Sequence, residues 1–330
     1  MVETYRAVVC RHLGPPEGLR LECMPRPVLP EGHVRIAIRA AGLNFPDVLM
    51  IQGLYQFKPD LPFVPGLEAA GEIIELGSGV EGHRVGQRVI ARMRIGAYAE
   101  EAVIPAHDAI PMPAGFDFAE AATFLVGHIT SYHALVTRAH LAAGDTVLVL
   151  GAAGGVGLAA VEIAAAHGAR VIAVASSPEK REIALEKGAA EAIGYGDEPL
   201  SKAVQRMTGG RGVDIVLDPV GIVSEEALRC LVPQGRVVIA GFAGGTIPNY
   251  AANRILLKSA TVIGVRAGEA ARHDPALRAR EQAALLQLAA EGRVRPHVSE
   301  KLALADFARA MRLLSERKAI GRVALVMGQG

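Results

Sequence analysis

From Val147 to Ala160 the chain reads Val147-Leu148-Val149-Leu150-Gly151-Ala152-Ala153-Gly154-Gly155-Val156-Gly157-Leu158-Ala159-Ala160. An apolar, β-branched run stops in a glycine cluster and passes directly into a helical pattern. A turn this tight leaves no room for Cβ atoms where a pyrophosphate must approach the backbone, and the N-terminus of the following helix adds partial positive charge. The glycine string alone is a weak signal, since Ala152 stands where the first glycine of a Gly-x-Gly-x-x-Gly pattern would fall and tight strand-to-helix joints also occur in sheets that bind nothing. Its surroundings are more specific. A helix is expected from Val156 to His167, Gly168 marks its stop, and Arg170-Val171-Ile172-Ala173-Val174-Ala175 resumes as a second strand. That completes a βαβ unit, the dinucleotide-binding start of a doubly wound sheet.

The same alternation of strand and helix continues across residues 123–265. Ala190–Ile193, Asp214–Asp218, Val237–Gly241 and Thr261–Val265 read as further strands, giving six in all, with helices over Pro178–Lys187, Pro199–Thr208 and Ser224–Val232. Near-continuous apolar strands of this kind imply a parallel sheet covered on both faces. Residues 1 to about 120 follow a different pattern: short alternating runs broken by Gly and Pro, such as Tyr5–Cys10, His33–Arg39 and Ala70–Leu76, as in a barrel-like β domain. The tail carries helical patterns over Glu281–Glu291 and Ala305–Lys318 and a closing strand over Arg322–Met327.

At 330 residues, two domains are the expectation. A formal net charge of +1 argues against a nucleic-acid surface. No apolar run is long enough to span a bilayer and the N-terminus lacks a signal-peptide core, so a cytoplasmic protein is expected. The three cysteines, Cys10, Cys23 and Cys230, are too scattered for a disulfide framework or a clustered zinc site. His128, His133 and His140 have no evident carboxylate partner in sequence and read as structural.

Cofactor choice turns on the end of the second strand. NAD-preferring sites usually place a carboxylate there to accept hydrogen bonds from the ribose hydroxyls. This chain instead reads Ala175-Ser176-Ser177-Pro178-Glu179-Lys180-Arg181. Ser176, Ser177 and Lys180 suit a 2′-phosphate, which favours NADPH. A serine before a helix is also an ordinary N-cap.

Taken with Ala41-Gly42-Leu43-Asn44-Phe45-Pro46-Asp47, Gly53-Leu54-Tyr55 and Leu61-Pro62-Phe63-Val64-Pro65-Gly66-Leu67-Glu68-Ala69-Ala70-Gly71, these motifs make the chain resemble, over essentially its full length, the zinc-free quinone oxidoreductase branch of the medium-chain dehydrogenase/reductases, the group that includes ζ-crystallin. The resemblance implies an α/β protein with a GroES-like β-barrel catalytic domain, residues 1–122 plus 266–330. An inserted Rossmann domain with a six-stranded doubly wound sheet, residues 123–265, would bind the nucleotide, and the active site would lie in the cleft. Zinc-dependent relatives carry a ligating Cys where Asn44 stands, a ligating His where Leu67 stands and a cysteine-rich lobe that is missing here. No metal is therefore expected, and without a Lewis acid a conjugated acceptor is a better substrate than an alcohol.

The resemblance also assigns contacts. Ala153, Gly154, Gly155 and Val156 would hold the pyrophosphate. Ser176 and Lys180 would hold the 2′-phosphate, with Tyr195 beside the adenosine phosphate region. Gly241, Phe242, Val265 and Arg266 would flank the nicotinamide half and Thr130 its ring, while Arg317 would reach a phosphate from the tail or simply end a helix as a solvated cation. Asn44 and Tyr55 are the catalytic candidates: Asn44 as a donor to a substrate or ribose oxygen, Tyr55 as a donor that orients a carbonyl or protonates an enolate. Against this, Asn44 suits a turn before Phe-Pro, and a barrel tyrosine commonly just packs. The expected activity is NADPH-dependent reduction of quinones or other conjugated carbonyls. The alternatives are an NADPH-dependent enal or enoyl-thioester double-bond reductase and an NADPH-binding protein with a structural role. The resemblance further implies a homodimer through the edge of the nucleotide-domain sheet, which the Thr261–Val265 strand could provide.

Overall fold

Strands in this chain form where apolar side chains can be buried on one face or on both, and that difference separates its two halves. The computed structural model of the chain describes residues 3–196 and 198–328; Met1 and Val2, at the head of the N-terminal stretch, lie outside them. It divides into two compact units, residues 1–126 with 296–330, and residues 127–295.

In the first unit, β1 (Thr4–Val9) pairs antiparallel with β2 (Arg20–Pro25). β3 (His33–Gly42) pairs antiparallel with β4 (Glu68–Leu76), which pairs with β5 (Arg88–Arg92); β6 (Glu101–Pro105) pairs with β3, and β7 (Ala109–Pro111) with β5. Their inward residues, among them Ile36, Ile38, Ile73, Val89 and Ile104, share one core with Val8. Two helices interrupt a stretch that the residue pattern alone reads as β: α1 (Phe45–Ile51) and α2 (Phe118–Ala122). Each has a carboxylate three residues into its start, Asp47 and Glu120, that accepts from the N–H of the residue capping it, Asn44 and Asp117.

α3 (Leu125–Tyr132) runs on into a wider π-helical turn over His133–Arg138. The second unit then alternates β8 (Thr146–Leu150), α4 (Gly155–Ala166), β9 (Arg170–Val174), α5 (Pro178–Glu186), β10 (Glu191–Ile193), α6 (Leu200–Met207), β11 (Val213–Asp218), α7 (Ser224–Cys230), β12 (Leu231–Ile239), α8 (Ala252–Lys258) and β13 (Thr261–Gly264). The six strands pair in parallel in the order β10-β9-β8-β11-β12-β13. All six are those expected from the apolar runs. Along each strand alternate residues enter opposite cores: Val147, Val149, Val171, Ile215 and Leu217 on one face, Leu148, Leu150, Ile172 and Val216 on the other. Two buried faces account for apolar runs without a polar alternation. Strand order reverses between β8 and β11, so the loops leaving these two strands diverge and open a crevice at their carboxyl ends.

α9 (Ala267–His273) and α10 (Pro275–Ala290) follow. The expected boundary at residue 265 is corrected here, because residues 266–295 group with the second unit. The physical reason is a buried carboxylate. Glu281 of α10, 3% exposed, accepts from Thr137 Oγ1 at 2.6 Å and pairs with His133 Nδ1 at 2.7 Å, while the Arg295 N–H donates to Glu162 of α4 at 3.2 Å. His128 likewise meets Glu162, at 3.0 Å. Both histidines thus have carboxylate partners that no local pattern reveals. α10 also starts earlier than expected, at Pro275, where the Asp274 side chain accepts from the Leu277 N–H.

β14 (Val298–Ala303), α11 (Phe307–Ser315) and β15 (Arg322–Val326) return the chain to the first unit, where β15 pairs antiparallel with β3 and parallel with β14. Among the described residues no helix is long and apolar enough to cross a membrane.

Candidate functional site

In the second unit the candidate site is built on the glycine turn after β8. Gly151 sits at φ +58°, a conformation that disfavours side chains. Gly157, in the first turns of α4, packs so closely that a Cβ there would lie 2.2 Å from the Gly151 carbonyl oxygen. The two glycines therefore set the bend and let the helix start directly over it. Gly154 is the exposed N-cap of α4, Ala153 is buried, and Gly155 and Val156 are half-buried in its first turn, where backbone N–H groups have no acceptor within the helix. These free amides at a helix start, over a cradle that a Cβ would fill, fit a pyrophosphate.

Two further groups brace the turn from below. The Tyr195 hydroxyl accepts the Gly151 N–H at 2.9 Å, and burial pushes its phenol up to about 12, so it stays protonated at neutral pH. Asp218, the last residue of β11, accepts from the Val220 and Gly221 N–H groups through Oδ1, both at 2.8 Å. The loop it holds presses Val220 against Gly151, where a Cβ would meet Val220 Cγ2 at 2.7 Å. Asp218 was not singled out from sequence; its signal is a carboxylate ending an otherwise apolar strand.

The other nucleotide candidates follow the same sheet edge. Ser176 is exposed just past β9. Ser177 is the N-cap of α5 and accepts the Lys180 N–H at 3.3 Å, which fulfils its capping role; Lys180 itself is half-buried. Gly241 and Phe242, the latter 40% exposed, follow β12, while Val265 and the exposed Arg266 follow β13. Because all six strands are parallel, residues 151–156, 176–180, 195, 241–242 and 265–266 all leave the sheet at its carboxyl edge. Thr130 stands apart from this row, half-buried on α3.

Asn44, Tyr55 and Arg317 belong to the first unit. Arg317 closes α11 in the left-handed region, at φ +58°, with its N–H on the Leu314 carbonyl and the Lys318 N–H on that of Leu313. This is a Schellman-type stop filled by arginine, where glycine is usual. Tyr55 is half-buried in the loop after α1.

Asn44 is 3% exposed and lies inside a polar network. Its Oδ1 accepts from Arg322 Nη2 at 2.9 Å and its Nδ2 donates to Glu68 Oε1 at 3.1 Å. Arg322 can only donate and an ionised Glu68 can only accept, so the pair fixes the orientation of the amide. Arg322 also pairs with Glu68, which is fully buried and accepts the Val126 N–H at 2.9 Å. The Asn44 N–H donates to Asp47 Oδ2, which also receives the Tyr98 hydroxyl at 2.7 Å. Asp47, Glu68, Tyr98 and Arg322 carry this cluster and had been given no role from sequence. Asp47 and Glu68 flank the two positions compared with zinc ligands, but Arg322 lies 278 residues from Asn44.

Asp47 gives the network a pH dependence. Burial pushes its carboxyl up to about 7, against the pull of the Tyr98 and Asn44 hydrogen bonds. Its folded-state value lies above that of an unfolded aspartate, about 4. Between about pH 4 and 7 the folded chain therefore holds a proton the unfolded chain has lost, so this contribution to stability is full below about pH 4 and lost by about pH 7. The Asp47→Asn variant is expected to show a flatter stability profile across that window and to gain on the parent above pH 7. Urea midpoints at pH 5 and pH 8 measure the difference, and an equal slope in variant and parent would clear Asp47 of the effect.

Among the described residues, no group of three or more His, Cys, Asp or Glu side chains is placed to hold a metal ion.

Comparison with known proteins places this geometry in a family. Residues 30–114 match the alcohol dehydrogenase GroES-like domain and residues 155–287 the zinc-binding dehydrogenase domain. The chain is 38% identical to quinone oxidoreductase-like protein 2 of Bos taurus over 97% of its own length and 92% of that protein's. Among solved structures, a probable oxidoreductase from Mycobacterium abscessus superposes with a TM-score of 0.90 at 37% identity, covering 99% of this chain and 100% of that one. A mycobacterial protein solved in complex with NADPH superposes with a TM-score of 0.89 at 30% identity, covering 97% and 99%.

Proposed function

The chain belongs to the medium-chain dehydrogenase/reductase family, in its quinone oxidoreductase branch, and is an oxidoreductase on a nucleotide-binding fold; on that premise we propose that it reduces quinones and related conjugated carbonyls with NADPH, without zinc. The observation that carries this reading is the row of nucleotide candidates along one sheet edge, from the glycine turn to Arg266. Gly155 and Val156 hold the pyrophosphate with backbone amides over the uncrowded Gly154, and Ser176 and Lys180 receive the 2′-phosphate where an NAD site would carry a carboxylate. NADPH, when bound, supplies the hydride.

Asn44 and Tyr55, both residues of the first unit, are the acceptor-side candidates. Asn44 stands where zinc-dependent relatives carry a thiolate, and its amide is committed to Glu68 and Arg322, so it positions rather than ligates. Tyr55, a hydroxyl donor, orients the acceptor carbonyl. A reduced quinone is a stable enough anion to take its proton from solvent, so no dedicated acid is required.

Steady-state turnover with NADPH and NADH against a panel of quinones, enones and enoyl thioesters tests the reading. NADPH oxidation with quinones is expected to be the fastest, and no oxidation with any acceptor would overturn it. In the same assay Lys180→Ala is expected to lower kcat/KM for NADPH by about tenfold, as befits one charge-assisted phosphate contact, and to leave the NADH value within about twofold. Equal losses with both coenzymes would remove the 2′-phosphate from the assignment.

The proposal includes a homodimer. β13 is an edge strand of the six-stranded sheet, and α8 just before it exposes Leu256 and Leu257, 77% and 75% accessible. Unpaired strand edges and contiguous exposed leucines are surfaces that a second copy covers. Light scattering at micromolar concentration is expected to give twice the chain mass, and a monomer mass would count against it.

A further inference from the structure

Arg94 differs from most arginines of the first unit. Its guanidinium carbon lies 3.7 Å from the centroid of the Phe57 ring and its side chain is exposed. Among the described residues its guanidinium makes no ion pair or hydrogen bond. Arg92, two residues earlier, is committed to Asp108, and Arg88 to the Phe116 carbonyl and the Phe118 ring. Stacking on an aromatic face leaves all the N–H donors of a guanidinium at its rim and lowers the entropy lost when it takes a ligand. Arg94 is thus held in place while its donors remain unused.

The surroundings are backbone-tied, and the loop sets exposed leucines beside the charged Lys58 and Asp60. The Met93 N–H bonds to the Leu67 carbonyl and the Gly96 N–H to that of Val64, which fixes the Arg94 segment alongside the strand that leaves the Phe57 loop. Phe63 is in turn bridged to Cys10 by two backbone hydrogen bonds. On either side of Phe57 along the chain, Leu54 and Leu61 are 67% and 44% exposed, and Leu13 is 51% exposed. Leu13 packs over Gly53, where a Cβ would come within 2.8 Å of it. Phe57 is two residues from Tyr55 on one loop, so their Cα atoms lie within about 7 Å, roughly the length of a bicyclic aromatic molecule.

We propose that the Phe57–Arg94 pair is a subsite for a carboxylate borne by the apolar body of the acceptor, so that anionic conjugated acceptors are preferred over neutral ones of the same size. The proposal rests on reading the Tyr55 loop as the acceptor side. An apolar rim takes the ring system, and the stacked guanidinium takes the carboxylate by a two-pronged contact.

A binding measurement tests the subsite without requiring turnover. The full chain is titrated calorimetrically with naphthalene-2-carboxylate and with naphthalene-2-carboxamide, which share a ring system and differ in charge. The expected result is about fivefold tighter binding of the carboxylate at low ionic strength, shrinking with added salt. That preference should vanish in Arg94→Gln and persist in part in Arg94→Lys, with melting temperatures unchanged because the side chain is exposed. Equal affinities in the parent, or an undiminished preference in Arg94→Gln, would overturn the proposal. Turnover of the acceptor panel with NADPH is measured alongside: a carboxylate preference without turnover of any acceptor keeps the anion subsite and sinks the reductase reading, whereas turnover without the preference does the reverse.

Discussion

Replacing Gly157 with alanine is expected to weaken nucleotide binding by roughly a hundredfold and to lower the melting temperature as well. The new Cβ would lie 2.2 Å from the Gly151 carbonyl oxygen, 2.8 Å from its carbon and 2.9 Å from the Ala152 Cα. All three are backbone atoms, so no side chain can rotate aside and α4 itself must lift off the turn. Leu158, Ala160 and Val161 on that helix are buried against the sheet, and shifting a packed helix costs about 1–3 kcal/mol. The same lift displaces the Gly155 and Val156 amides. Losing two charge-assisted hydrogen bonds at about 1.5–3 kcal/mol each gives the hundredfold as a lower figure. Gly154→Ala is the control. Its Cβ would meet nothing nearer than the Gly151 oxygen, at an ordinary 3.4 Å, and the residue is exposed with φ −83°. That variant is expected to melt like the parent yet bind NADPH poorly, because the methyl group points where the pyrophosphate would approach. Fluorescence titration with NADPH and thermal melting of both variants decide it. A Gly157→Ala protein that melts and binds like the parent would show that the close approach of helix and turn is not required.

That turn, and the sheet that bears it, could be read in the chain because their causes are local. A strand buried on both faces needs apolar side chains at every position, and a bend under a helix needs glycine, so β8 to β13 and the start of α4 announce themselves within windows of a few residues. The row of candidate residues at the sheet's carboxyl edge follows from the same alternation, since each one ends a strand. The first unit is less transparent. β15 pairs with β3 across most of the chain's length, and nothing within Arg322–Val326 names its partner. α9 and α10 belong with the second unit because Glu281 meets His133 and Thr137, contacts spanning 148 and 144 residues. Asn44 was legible as a polar turn residue before Phe-Pro, but the helix it caps and its commitment to Glu68 and Arg322 are tertiary facts. A motif identifies which residues are unusual, whereas burial and partners determine whether they bind, position or pack.

The network around Glu68 makes the other large prediction. Arg322→Met is expected to destabilise the protein by about 3–5 kcal/mol at neutral pH, a substantial part of the whole stability of an ordinary domain. Glu68 is fully buried, and the Arg322 guanidinium is the cation paired with it. The hydrogen bonds from Asn44 Nδ2 and the Val126 N–H would remain, but they cannot neutralise a charge held away from water. Nor can Glu68 swing out. Its Oε1 and Cγ press on Gly42 of β3, where even a Cβ would come within 2.9 and 3.0 Å of them. The variant's remedy is protonation. With the guanidinium gone, burial raises the Glu68 carboxyl above its unfolded value of about 4.3, so the folded variant binds a proton that the unfolded chain does not. Its deficit relative to the parent should therefore be largest at neutral pH and shrink as pH falls toward about 4–5. Urea midpoints for parent and variant at pH 5 and pH 7.5 read this directly, and Arg322→Met combined with Glu68→Leu, which removes both charges, should recover much of the loss at the higher pH. A deficit of equal size at both pH values would mean that lost packing of the long arginine stem, not the stranded carboxylate, is what the variant suffers.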